Sequence, residues 1–295
     1  MPLDPKVRDF LSRLPTLNPP TSVEELRRNW NSAFSGKKVE IEKVIDLEIP
    51  TRDDRIRARL YLPKRTDSII VFYHGGGFVF GDVESYDGLS RLIAKESEIP
   101  VISIGYRLAP EHKFPTAVND AWDSLVWIAK EMGISKVAVM GDSAGGNLAA
   151  VVSQMDRDNK TKLVKFQVLL YPAVNMVDNS PSVHEFAEGY FLTRKLMSWF
   201  GSLYFSSGRE AVNPLASPAL GKLNDLPPSL VITAEYDPLR DQGETYSQAL
   251  KEAGNESVCV RYKGMIHGFI SFYDWFKAGR VAINQVASTL KEELS

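Results

Sequence analysis

Five short runs, Ile69 to Tyr73, Val101 to Ile104, Val137 to Met140, Phe166 to Tyr171 and Leu230 to Ala234, are almost continuously apolar. A strand covered by helices on both faces has no solvated side, so it loses the polar–apolar alternation of a surface sheet. Between and after these runs, residues 85–96, 115–131, 144–156, 240–253 and 275–293 carry apolar side chains at three- and four-residue spacing, as at Leu148, Val151, Val152 and Met155. That spacing collects them on one face of a helix. Strand and helix in alternation imply right-handed crossovers, and the expectation is an α/β chain on a mostly parallel, doubly wound sheet.

Two stretches before the first run behave differently. Val39 to Ile49 and Arg55 to Leu62 alternate apolar and polar residues around Thr51-Arg52-Asp53-Asp54, as a hairpin with one solvated face would. Residues 1 to about 38 and about 175 to 212 fall outside the alternation altogether. The second carries Tyr190, Phe191, Leu192, Leu196, Trp199, Phe200, Tyr204 and Phe205, too many large apolar groups for a simple connection. Such insertions often cover the ligand crevice at the carboxyl ends of parallel strands. Tyr190, Phe191, Leu192, Leu196 and Trp199 are therefore the candidate substrate-binding residues. No repeat, low-complexity tract or linker divides residues 1–295, which read as one domain.

Charge narrows the partners. Thirty-five basic against 37 acidic side chains give a net charge of −2 without a long run of either sign, so nothing marks a surface for nucleic acid or anionic membrane. Cys259 is the only cysteine; it reads as a small hydrophobe in a strand Val258 to Tyr262, and with no internal disulfide to form, a reducing compartment fits best. The N-terminus lacks a basic segment followed by an apolar one, and no window reaches the roughly 18 apolar residues of a membrane span. The expectation is a cytoplasmic protein acting on a small molecule. A homodimer is compatible with all of this.

Gly141-Asp142-Ser143-Ala144-Gly145 has the G-x-S-x-G form and joins the run Val137 to Met140 to the helical stretch from Ala144. In that setting a sharp strand-to-helix turn presents the serine Oγ at the sheet edge, and small neighbours relieve the crowding. A serine hydroxyl is a poor nucleophile unless a base takes its proton and donors stabilise the oxyanion. His74-Gly75-Gly76-Gly77-Phe78 follows the first buried run, so the N–H groups of Gly76 and Gly77, with Gly75 adjoining, could form an oxyanion hole with that of Ala144. The Lys-[Ser/Thr] of a phosphate-binding loop is missing.

Only four histidines, at 74, 112, 184 and 267, can supply the base. His267 follows the last strand signal and comes after the serine and every acid candidate, the chain order Ser…Asp…His of this type of site. His74 is expected to order its own glycine loop. Asp237, three residues beyond the run Leu230 to Ala234, is the best acid, with Glu235 and Asp241 as rivals and Asp241 also suited to capping a helix. No metal or organic cofactor is implied.

With these residues in place, the chain resembles the hormone-sensitive-lipase-like branch of α/β-hydrolase esterases and lipases, in particular its compact microbial carboxylesterases. The resemblance rests on His74-Gly75-Gly76-Gly77, Gly141-Asp142-Ser143-Ala144-Gly145-Gly146-Asn147, Asp237-Pro238-Leu239-Arg240-Asp241 and His267-Gly268-Phe269. It implies a cap made from about residues 1–38 and 175–212, and hydrolysis of short- to medium-chain acyl esters by Ser143, Asp237 and His267 without a cofactor. It also implies that Arg107 and Glu111, in Tyr106-Arg107-Leu108-Ala109-Pro110-Glu111-His112, brace the site through an ion pair or hydrogen-bonded network. A lipase or amidase on the same triad stays open, as does a non-catalytic receptor, against which the presence of His267 argues.

Overall fold

A computed structural model describes residues 2–13, 22–33, 38–63 and 67–294. Its strands are β1 (Lys43–Pro50), β2 (Arg55–Leu62), β3 (Ser68–Tyr73), β4 (Val101–Gly105), β5 (Lys136–Asp142), β6 (Val164–Leu170), β7 (Ser229–Tyr236) and β8 (Ser257–Ile266). They form one sheet in the order β1-β2-β4-β3-β5-β6-β7-β8. β1 and β2 are antiparallel, β2 runs antiparallel to β4, and every pairing from β4 to β8 is parallel.

The helices are α1 (Pro5–Arg13), α2 (Val23–Ala33), α3 (Asp87–Ser97), α4 (Thr116–Met132), α5 (Ala144–Asp158), α6 (Pro181–Glu185), α7 (Arg194–Tyr204), α8 (Arg240–Glu252) and α9 (Lys277–Glu293). Successive residues of the inner strands serve opposite cores, which is why their sequences are continuously apolar. Ile69, Val71 and Tyr73 join Val137 and Val139 in the core with α4, α5 and α8, whereas Ile70 and Phe72 join Ala138 and Met140 in the core with α3 and α9. The strand order turns back at β3, and the chain ends of β3, β5, β7 and β8 meet at one edge, where a crevice opens in such sheets.

The segments outside the alternation lie near that edge. The α2 helix is fastened by Arg27, whose Nε donates to Val79 O at 2.9 Å, whose Nη2 donates to Ala109 O at 2.9 Å, and whose two terminal nitrogens each reach the Glu111 carboxylate at 2.8 Å. In α1, Phe10 packs on Phe272 and Phe276 with ring centroids 4.7 and 5.4 Å away. In α7, Tyr204 stacks on Phe78 at 4.0 Å. Residues 14–21 and 34–37 of the expected N-terminal cap lie outside the described residues. No helix of the described residues is long and apolar enough to cross a membrane.

Arg107 and Glu111 each hold a separate hydrogen-bonded ion pair. They do not pair with each other: Arg107 binds the buried Asp120 of α4 at 2.7 Å, and Glu111 binds Arg27. Each partner, one acidic and one basic, was invisible locally because it comes from another element. The Arg27 hydrogen bonds hold the Glu111 carboxyl down at about 2.

Candidate active site

The turn between β5 and α5 holds Ser143 at φ 53° and ψ −115°, a backbone region that costs an L residue on the order of 1–3 kcal/mol. Hydrogen bonds on both sides maintain it. Ser143 N–H donates to Leu170 O at 2.9 Å, and Ser143 O accepts from Asn147 N–H at 3.0 Å and Ala173 N–H at 3.2 Å. The crossing is tight enough that a Cβ on Gly145 would sit 1.9 Å from Tyr73 O. Both sides of that clash are backbone, so Gly145→Ala is expected to abolish soluble, active protein. Expression yield and ester turnover would check this.

His267 and Asp237 arrive from the ends of β8 and β7. Asp237 Oδ2 lies 2.8 Å from His267 Nδ1, and His267 Nε2 lies 3.0 Å from Ser143 Oγ. A carboxylate can only accept at Nδ1, so the ring proton sits there and Nε2 is left to accept the serine proton. Asp237 is fully buried, and its Oδ1 accepts Leu239 N–H at 2.8 Å. The rival acids are occupied elsewhere. Glu235 accepts Gly264 N–H at 2.6 Å, while Asp241 accepts Ser182 N–H and Arg240 Nε–H, each at 2.8 Å.

The loop after β3 lies beside Ser143. Among the described residues none accepts the N–H of Gly76, Gly77 or Ala144, and Ala144 opens α5, where the first N–H groups lack helical partners. Gly76 and Gly77 have φ of 108° and 60°, a region that glycine enters without a Cβ penalty. Gly75 corrects the sequence expectation: its N–H is committed to Asp142 Oδ1 at 2.7 Å, so it is not a donor for an oxyanion. His74 is buried, and burial pushes its imidazole down to about 4. Neutral, it donates from Nδ1 to Gly75 O at 2.7 Å, the loop-ordering part expected of it.

Asp142 was passed over in the sequence because the motif treats its position as variable. It is 3% exposed, accepts Tyr86 O–H at 3.1 Å as well as Gly75 N–H, and burial pushes its carboxyl up to about 6.

Two cavities meet at Ser143. The larger, about 320 Å³, is lined by Gly77, Ala144, Met176, Met197, Phe205 and Leu239 among others. The smaller, about 60 Å³, is lined by His267, Gly76, Trp30, Phe80, Phe191 and Leu196 among others. Leu192 and Phe200 border both. Of the candidate substrate-binding residues, Leu192, Phe191 and Leu196 therefore reach the cavities. Tyr190 and Trp199 line neither. Tyr190 stacks on Tyr236 at 5.2 Å, and Trp199 packs on Phe200 at 5.4 Å. An apolar side chain on an inserted helix can face the cavity or a neighbouring element, and only packing decides which. Phe200 was visible as one of the aromatics, whereas Met176, Met197 and Trp30 carried no local signal of a site.

Comparison with known proteins agrees with this architecture. A family profile described as alpha/beta hydrolase fold matches residues 70–271. The arylesterase of Saccharolobus solfataricus is 40% identical over 285 residues, covering 92% of this chain and 93% of that protein. The ethyl acetate hydrolase of Pseudomonas putida is 33% identical, covering 92% and 91%. Among solved structures, an esterase of Pyrobaculum calidifontis superposes with a TM-score of 0.94 at 46% identity over 99% of both chains. The fold, the motifs and these relatives together assign the chain to the α/β-hydrolase family, in its hormone-sensitive-lipase-like branch.

Proposed function

We propose that this carboxylic ester hydrolase is a serine carboxylesterase for short- to medium-chain acyl esters, with Ser143 as nucleophile, His267 as base and Asp237 as the acid that orients it. The observation that carries this reading is the unbroken chain of hydrogen bonds from Asp237 through His267 to Ser143 Oγ, beside unclaimed N–H groups. Ser143 Oγ attacks the ester carbonyl carbon while His267 Nε2 takes its proton, and Asp237 stabilises the imidazolium. Gly76, Gly77 and Ala144 donate to the oxyanion. As the C–O bond breaks, His267 returns the proton to the departing alcohol, leaving an acyl-enzyme. Water then follows the reverse proton route and releases the acid.

The imidazolium must protonate the leaving oxygen, so the alcohol belongs on the side of the small cavity, which His267 lines. The acyl chain then takes the larger cavity. In this reading α2, α6 and α7 are the cover that closes both over Ser143.

A chain-length preference follows. Each methylene buried in the larger cavity contributes about 0.8 kcal/mol until the space is filled. With p-nitrophenyl esters, kcat/KM is expected to rise from acetate toward roughly C4–C8 and then decline, since about 320 Å³ stands at the small end of ligand cavities. A panel from two to sixteen carbons would check it. Rising activity through C16, with a jump once substrate droplets form, would instead indicate a lipase.

A further inference from the structure

We propose that Gln242 is a specificity-determining residue: its carboxamide N–H reads a neutral oxygen acceptor on the acyl group, so the preferred substrates are esters of oxo-substituted short acids rather than of plain fatty acids. This rests on the assignment of the acyl chain to the larger cavity, made above, and names the class of acid that suits it.

Gln242 lies in the first turn of α8, is 5% exposed, and borders the larger cavity together with Ser143. Its Oε1 accepts two backbone N–H groups, from Val174 at 2.8 Å and from Asn175 at 2.9 Å. An amide oxygen can accept there and an amide nitrogen cannot, so these two bonds fix which way the carboxamide is turned. Nε2 is left over, and among the described residues it donates to nothing. The same backbone stretch is tied to the nucleophile, since Ala173 N–H donates to Ser143 O at 3.2 Å. The free donor is therefore held in register with the carbonyl that Ser143 attacks.

A donor so placed discriminates between acids. Much of the wall around it is apolar, with Met176, Leu192, Met197 and Phe205, and a cavity of this kind draws its specificity from the few polar groups it contains. An alkyl chain laid on a buried N–H strips it of solvent and returns no hydrogen bond, whereas a carbonyl oxygen supplies one. Asn175 offers a second donor on the same cavity: its Oδ1 accepts Val177 N–H at 3.2 Å, and its Nδ2 has no acceptor among the described residues. The charged groups favour a neutral acceptor over a carboxylate. Arg194 and Asp178 both border the cavity, so a cation there is accompanied by an anion that would repel a second one.

Two pairs of p-nitrophenyl esters test this, pentanoate against 4-oxopentanoate and hexanoate against 5-oxohexanoate, each pair equal in length with one methylene replaced by a carbonyl. Each rate is divided by the alkaline hydrolysis rate of the same ester, which removes differences in intrinsic reactivity. In the wild-type protein the oxo ester of at least one pair is expected to have the higher kcat/KM, by about two- to tenfold, the range of one net hydrogen bond. A purely apolar wall would reverse the order, because burying a carbonyl without a partner is unfavourable. Gln242→Glu keeps an oxygen for Val174 and Asn175 N–H and replaces the free donor by an acceptor, so its oxo-to-alkyl ratio should fall to one or below. The ratio is taken within one protein, so a general loss of activity cancels. Wild-type ratios of one or less in both pairs would overturn the proposal whether or not the variant folds. An unchanged ratio in folded Gln242→Glu, verified by circular dichroism, would overturn the role of Gln242. A p-nitrophenyl hemiester of glutaric acid that outran both oxo esters would overturn the neutral acceptor. An oxo preference seen only when the carbonyl sits in the alcohol part would instead overturn the assignment of the acyl chain to the larger cavity, leaving Ser143 in place.

Discussion

Ser143→Ala is expected to lower kcat on the order of 10⁴-fold or more, while leaving the melting temperature close to that of the parent. The size of the effect follows from what remains. On the proposed mechanism, loss of Oγ removes the covalent intermediate and the proton that His267 would take, so only the amide donors and substrate binding would contribute. Alanine loses little else, because Ser143 makes its other hydrogen bonds through the backbone: N–H to Leu170 O, and O to Asn147 and Ala173 N–H. Initial rates on a C4 ester, together with mass spectrometry after phosphonate treatment, would check both parts. A variant that kept near-normal turnover would remove Ser143 from the mechanism.

Asp237→Asn should cost up to about 10⁴-fold in kcat without unfolding the protein. The carboxamide has nearly the same volume, and its oxygen can still accept Leu239 N–H, as Asp237 Oδ1 does at 2.8 Å. The amide nitrogen would then face His267 Nδ1, where Asp237 Oδ2 now accepts. Two donors cannot share that contact, so the ring proton moves to Nε2, and the imidazole loses the lone pair that should receive the Ser143 proton. Asp241→Asn is the control. Its carboxylate serves Ser182 and Arg240, so its loss should be far smaller. The reverse ranking, measured on the same ester, would move the acid assignment to Asp241.

The strands and helices were legible because burial on two faces leaves a strong imprint on a sequence. Ile69 to Tyr73 has no polar position since alternate residues feed two cores. Boundaries were less accurate: β8 extends from Ser257 to Ile266, further than its apolar signal at Val258 to Tyr262, because the exposed Lys263 interrupts the pattern before the buried Met265 and Ile266. Ser143 and the glycine loop stood out as short motifs because their turns are sterically severe, and Asp237 and His267 because each follows the end of a strand. What surrounds them did not. The partner of Glu111 is Arg27 and the partner of Arg107 is Asp120, pairings set by helix docking that no local pattern encodes. The cavity walls mix Met176, Phe200 and Trp30 from separate segments, and a methionine or tryptophan facing a cavity has the same sequence signature as one facing a core. Gly75 shows the finer limit: its type suited an oxyanion donor, but a hydrogen bond to Asp142 had already claimed its N–H.

The grouped side chains come from the ends of β3, β5, β7 and β8, and Ser143 and His267 stand 124 residues apart along the chain. No hairpin or helix pair contains them together, and the glycine loop comes from β3, in the other half of the sheet from β5, β7 and β8. Their convergence therefore depends on long-range contacts, for which loop-closure entropy must be overcome before native contacts compensate for it. On the proposed mechanism, catalysis is a stricter measure of nativeness than helix content or compactness, since a nearly complete sheet without β8 has Ser143 but lacks His267.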